Sequence, residues 1–164
     1  MKNRIVALLS ITLLQVTSLA AQAPAKGASA SGPDIAVVVH PQTPVDSLSL
    51  AEVRQVFRGD RQYWSANMPV VVLIRAPVAR EREVVLKKIF EMNEAQFKQY
   101  WVAKIFRAEA TSAPKFVMSN TAANQLVSAV PGAIAFIDAK DVKPGVKVVA
   151  VDGRKPGEAG YPLR

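Results

Sequence analysis

Cysteine is absent from the 164 residues, which rules out disulfides, thiolate metal sites, a cysteine nucleophile and an N-terminal lipid-modified cysteine. Histidine occurs once, as His40, so neither an H-E-x-x-H helix nor a histidine-rich metal site can be assembled. No serine stands in a G-x-S-x-G elbow, and a Ser-His-Asp triad would have to use His40 by default. His40 lies between a strand-like run and Pro41, where it could act as a general base or anion donor; turn formation is the commoner role. No carboxylate pair has a spacing that suggests an acid and a base. Glu81 and Glu83 fall at a helix start, where dipole compensation accounts for them. These gaps point away from an enzyme and imply no metal and no cofactor.

The long apolar run that the rest of the chain lacks is at the N-terminus. Lys2 and Arg4 precede Ile5 to Leu14, an apolar core broken by Ser10 and Thr12, and small residues follow through Ala23. This is the pattern of a secretory signal over residues 1–23, with Ala20 or Ala21 the better cleavage point because Pro24 follows Ala23. A retained anchor is the rival reading, but the run is shorter than the roughly 20 residues of a spanning helix. Cleavage leaves no stable membrane anchor and sends the protein to the periplasm. Residues 24–34, rich in Ala, Gly, Ser and Pro, read as a flexible linker.

Half of the residues are apolar and 21% are charged, enough to build a core in the single domain expected over residues 35–164. The formal net charge is +8, or +6 without Lys2 and Arg4. Export, the lack of a block of like charges, and aromatics not interleaved with arginines argue against nucleic acid. A small anion or an acidic partner surface remains.

Apolar runs at Ile35–Val39, Val70–Ile74, Lys115–Met118, Ala133–Ile137 and Val146–Val151 read as strands. Ser49 with Glu52 has capping-box spacing before a helix ending near Gly59. Arg61 to Met68 reads as a polar loop. A helix opens near Ala79 with Val85, Leu86, Ile89 and Phe90 on one face, and Asn93 with Gln96 starts another whose stripe is Phe97, Tyr100, Trp101 and Ile105. Ser119 or Asn120 starts a last helix, stopped by Pro131-Gly132. The order β-α-β-α-α-β-α-β-β predicts a three-layer α/β domain with a largely parallel sheet.

The stretch VVVLIRAPVARERE, Val70 to Glu83, carries the binding chemistry. A strand ending in Arg75, a short turn and a helix N-terminus gather anions, because backbone N–H groups and the helix dipole face the turn. Arg75 could take an oxyanion bidentately, with Arg80 adding charge; the bland reading pairs these arginines with Glu81, Glu83 or Asp60, and Arg82 reads as solvated. Trp64, Tyr100 and Trp101 could line a pocket, although a helical stripe is more often core.

Several of these segments have a family likeness. Ile35 to Phe57, the Arg58-Gly59-Asp60 turn with Trp64, the Ser119-Asn120 helix start, Pro131-Gly132-Ala133-Ile134-Ala135-Phe136 and Tyr161-Pro162-Leu163 resemble the periplasmic phosphate-binding proteins of ABC transporters. The resemblance implies one α/β lobe of the two that make a type II periplasmic-binding-protein fold. It also implies binding of phosphate or a similar small oxyanion at Arg75, Ala79, Arg80 and Glu81, in partnership with an ABC permease or a sensor. The family's Ser-Gly-Thr motif is here Ala79-Arg80-Glu81, so both hydroxyl donors are missing and a carboxylate has entered. The alternative is a ligand-free periplasmic interaction domain.

Overall fold

The computed structural model describes residues 33–164; the proposed leader and all but the end of the proposed linker lie outside the described residues. Strand β1 (Ile35–Val39) is buried along its whole length. It is followed by the short β2 (Ser47–Leu48) and helix α1 (Leu50–Phe57). A hairpin of β3 (Tyr63–Ser65) and β4 (Met68–Pro69) leads to β5 (Val71–Arg75). Next come α2 (Arg80–Val85), a π-helical turn at Leu86–Phe90 and α3 (Glu94–Phe106). The chain ends with β6 (Lys115–Val117), α4 (Asn120–Ala129), β7 (Ala133–Asp138) and β8 (Lys147–Val151).

Six strands form one sheet in the order β2-β8-β1-β7-β5-β6. The β2–β8, β5–β6 and β5–β7 pairings are parallel, while β1 runs antiparallel to both β7 and β8. The sheet is therefore mixed but mostly parallel. Side chains alternate across it. Ile35, Val37 and Val39 enter the core under α1, α2, the π turn and α3, whereas Ala36 and Val38 pack with Ala123 and Val127 of α4. Helices on both faces of a buried sheet give the three-layer α/β architecture.

The caps follow the sequence. Ser49 and Glu52 complete a capping box on α1, Asn93 and Gln96 complete one on α3, and the Ser119 hydroxyl caps α4. His40 is a turn residue: its Nδ1 accepts from the Gln42 backbone N–H at 3.2 Å and its carbonyl accepts from Thr43. The stripe of α3 is corrected in one place. Phe97 and Trp101 are buried, but Ile105 is 41% exposed and Lys104 takes the inward position. Lys104 can do so because its stem packs while its ammonium reaches Asp60 and the Tyr100 hydroxyl. Arg61 to Met68 holds most of the hairpin rather than an open loop, and Trp64 is buried there, donating from Nε1 to the Gly132 carbonyl at 2.8 Å.

Gly132 allows that arrangement. Its φ is +80°, and a Cβ there would stand 2.0 Å from the Pro69 carbonyl oxygen. The hairpin, β5 and the start of β7 are thereby drawn together, since the Gly132 carbonyl also accepts from the Val71 N–H at 3.0 Å.

Candidate functional site

β5 is central enough to be fixed on both sides: β7 and β6 flank it in parallel, so its carboxyl end opens beside that of β6. Arg75 closes the strand. The Ala76 N–H donates to the Val117 carbonyl at 2.9 Å, which ends the pairing and starts the turn. Val78 follows in the left-handed region at φ 67°, an unfavourable conformation for a β-branched residue, and is 96% exposed. Ala79 is the N-cap of α2 and brings no side-chain acceptor, so the first turn is capped only by backbone.

The guanidinium of Arg75 is largely buried. Its Nη1 donates to the Val117 carbonyl at 3.3 Å, and its Nε lies 3.6 Å from Glu81 Oε2, an ion-pair separation too long for a hydrogen bond. That Nε is buried without a hydrogen-bond partner among the described residues. Glu81 is buried too. Its Oε1 accepts from Asn120 Nδ2 at 2.5 Å, and the same amide nitrogen donates to Asp141 Oδ2 at 2.8 Å. Asn120 is fixed from behind by Asn124, whose Nδ2 donates to the Asn120 and Asp141 carbonyls.

The four residues singled out from sequence thus have different fates. Arg75 and Glu81 meet. Ala79 contributes backbone only. Arg80 turns aside, donating from Nη2 to the Pro33 carbonyl at 2.6 Å with Nη1 3.9 Å from Asp138 Oδ2. Arg82 is not solvated. It is 1% exposed, donates to both carboxylate oxygens of Glu94, and lies over the rings of Phe97 and Phe116 at 4.8 and 5.1 Å. Asn120 and Asp141 were missed as neighbours of Glu81. Only the Ser119-Asn120 helix start hinted at the first, and nothing in the local pattern marked the second.

Chemically, the arrangement is a buried cation at a strand end, half neutralised by a carboxylate that is itself anchored. It can accept an oxyanion at Arg75 where that ligand competes with Glu81 for the guanidinium. Among the described residues no cluster of three or more His, Asp or Glu is placed to hold a metal.

A family model described as the PBP superfamily domain matches residues 21–161. No curated protein sequence matches the chain. Among solved structures, a putative phosphate ABC transporter substrate-binding protein with bound phosphate from Clostridium perfringens has a TM-score of 0.60 at 22% identity, covering 76% of this chain and 47% of that one. An ABC-type phosphate transport receptor from Vibrio cholerae gives 0.61 at 19% identity, covering 76% and 48%. PstS from Borrelia burgdorferi gives 0.62 at 17% identity, covering 80% and 54%. The chain spans about half the length of these structures. At such identities the likeness is one of fold: the α/β domain resembles one lobe of a type II periplasmic binding protein.

Proposed function

This chain belongs to the PBP superfamily, and we propose that it is an exported solute-binding module that takes phosphate or a similar small oxyanion at Arg75. The observation that carries the reading is the buried Arg75 Nε, without a hydrogen-bond partner among the described residues, at the carboxyl end of β5. Ligands in open α/β sheets bind at that end of the strands. A donor already desolvated there gains a full charge-assisted hydrogen bond when an anion arrives. The backbone of Ala79, Arg80 and Glu81 borders the same turn, and the helix dipole favours negative charge there.

Glu81 sets the strength. Its carboxylate shares the guanidinium and repels an incoming anion, and no Ser or Thr hydroxyl from the turn offsets it. The module therefore binds weakly, and it functions as a binding protein rather than as an enzyme. In the periplasm its partner is an ABC permease or a sensor protein that reads the loaded state.

Calorimetric titration of the purified chain with phosphate, sulfate and acetate tests the reading. Saturable heat with phosphate that disappears in Arg75→Ala supports it. No heat and no thermal shift at millimolar phosphate, or unchanged binding by Arg75→Ala, would sink it.

A further inference from the structure

A cavity of about 280 Å³ opens at the other end of the sheet from Arg75. It lies among the amino ends of β5 and β6, the β3–β4 hairpin, the end of α1 and the connection from α3 to β6. Val70 and Val72 supply apolar wall, and Trp101 closes one side. Gln62, just before the hairpin, is tied to the connection where its Nε2 donates to the Glu109 carbonyl at 2.7 Å. The position of the Trp101 ring is set by Gly59, whose missing Cβ would stand 2.9 Å from Cη2.

Two features give this cavity a chemistry. The first is charge. Arg61 and Lys115 line it and no Asp or Glu does, and neither cation forms an ion pair with a described carboxylate. Arg61 is also pre-set, with its Nε donating to the Tyr63 carbonyl at 3.3 Å and its guanidinium 5.2 Å over the Trp64 ring. The second feature is a flat apolar surface: the Trp101 ring, 5% exposed and set by Gly59, belongs to the same lining as the two cations.

We propose that this cavity binds a small carboxylate with an apolar body, the carboxylate meeting Arg61 and Lys115 and the body packing against Trp101 and the valines. The volume suits a free small molecule of about one ring rather than a peptide segment. The apolar wall separates this ligand from an inorganic oxyanion, and the cations separate it from a neutral aromatic. Because Arg75 is at the opposite strand end, the two sites fill independently.

Benzoate is a fitting probe, with benzamide as its neutral counterpart, acetate as the same charge without the body, and inorganic phosphate as the ligand proposed for Arg75. Titration of the purified chain by calorimetry, with Trp64 and Trp101 fluorescence alongside, should show saturable benzoate binding, with benzamide and acetate each at least about tenfold weaker. Lys115→Gln on the exposed rim should weaken benzoate by about fivefold to tenfold. Arg75→Ala should leave it unchanged. The proposal is overturned if benzoate does not saturate up to tens of millimolar, if benzamide binds equally well, if Lys115→Gln changes nothing, or if Arg75→Ala removes the binding.

Discussion

Arg82 Nη1 donates to the backbone carbonyl of Arg75 at 3.0 Å. A fully buried guanidinium thus holds the strand end on which the candidate binding arginine is mounted, and Glu94 at the start of α3 holds Arg82 in turn. The strand end that carries Arg75 therefore depends on an ion pair made between α2 and α3.

That pair should respond unequally to neutralisation. Glu94→Gln leaves Arg82 charged and buried with a neutral amide oxygen in place of the carboxylate, beside a carbonyl and two ring faces, and should cost about 3 kcal/mol. Arg82→Met keeps much of the volume and leaves Glu94, which is 40% exposed on its side chain, free to hydrate. Its cost should be smaller, about 1–2 kcal/mol. Urea denaturation of both variants measures the difference, and an equal or reversed order would contradict this account.

The pH dependence follows from the same contact. The hydrogen bonds from Arg82 hold the Glu94 carboxyl below its usual range against the opposing effect of desolvation. A depressed folded-state value means its stabilisation is in place above the ordinary glutamate range, near about 4.3. It is lost as pH falls through the lower folded value. Melting temperature between pH 7 and pH 3 should therefore drop on the acid side, and Glu94→Gln should flatten part of that drop.

At the site itself, Glu81→Gln removes the competing charge while keeping an oxygen for Asn120. Phosphate affinity should rise by about tenfold. Calorimetry on wild type and variant decides it; weaker binding in the variant would mean that Glu81 helps the ligand.

Val78→Gly should stabilise the protein. The valine pays about 1–2 kcal/mol for its left-handed backbone and has almost no packing to lose at 96% exposure. Glycine returns about 0.5–1 kcal/mol of this through unfolded-state entropy, leaving a gain of roughly 0.5–1 kcal/mol. A fall in the denaturation midpoint would show that the turn has another conformation.

Gly132→Ala should be severe, at more than about 3 kcal/mol, since the new methyl would collide with the Pro69 backbone and the residue would keep a positive φ. Soluble yield and a thermal melt suffice to test it. Near-normal stability would require the Trp64 bond and the hairpin to be placed differently.

How far the sequence could be read follows from the range of the interactions. The β1 and β7 runs, both capping boxes and the Pro131-Gly132 stop are local signals, and they mark the elements found. β2, β3 and β4 have two or three residues each, too short for a period to register. Arg75 and Glu81 lie six residues apart across a turn, so their meeting was open to inference. Arg82 looked like a surface charge because its burial depends on Phe116 and Glu94, which its own neighbourhood does not reveal. The same holds for Asp141, brought to Glu81 only through Asn120. The antiparallel setting of β1 was likewise invisible, because an apolar strand carries no mark of direction.

That setting of β1 has a kinetic consequence. Its two neighbours, β7 and β8, lie far downstream in sequence, and β1 is tied further where the Ile35 N–H donates to the Leu163 carbonyl and the Tyr161 hydroxyl to the Ile35 carbonyl. β1 has no partner in the sheet until β7 is available, so its pairing is long-range and slow to close. The sheet therefore closes late, after β5 and the intervening helices are already available.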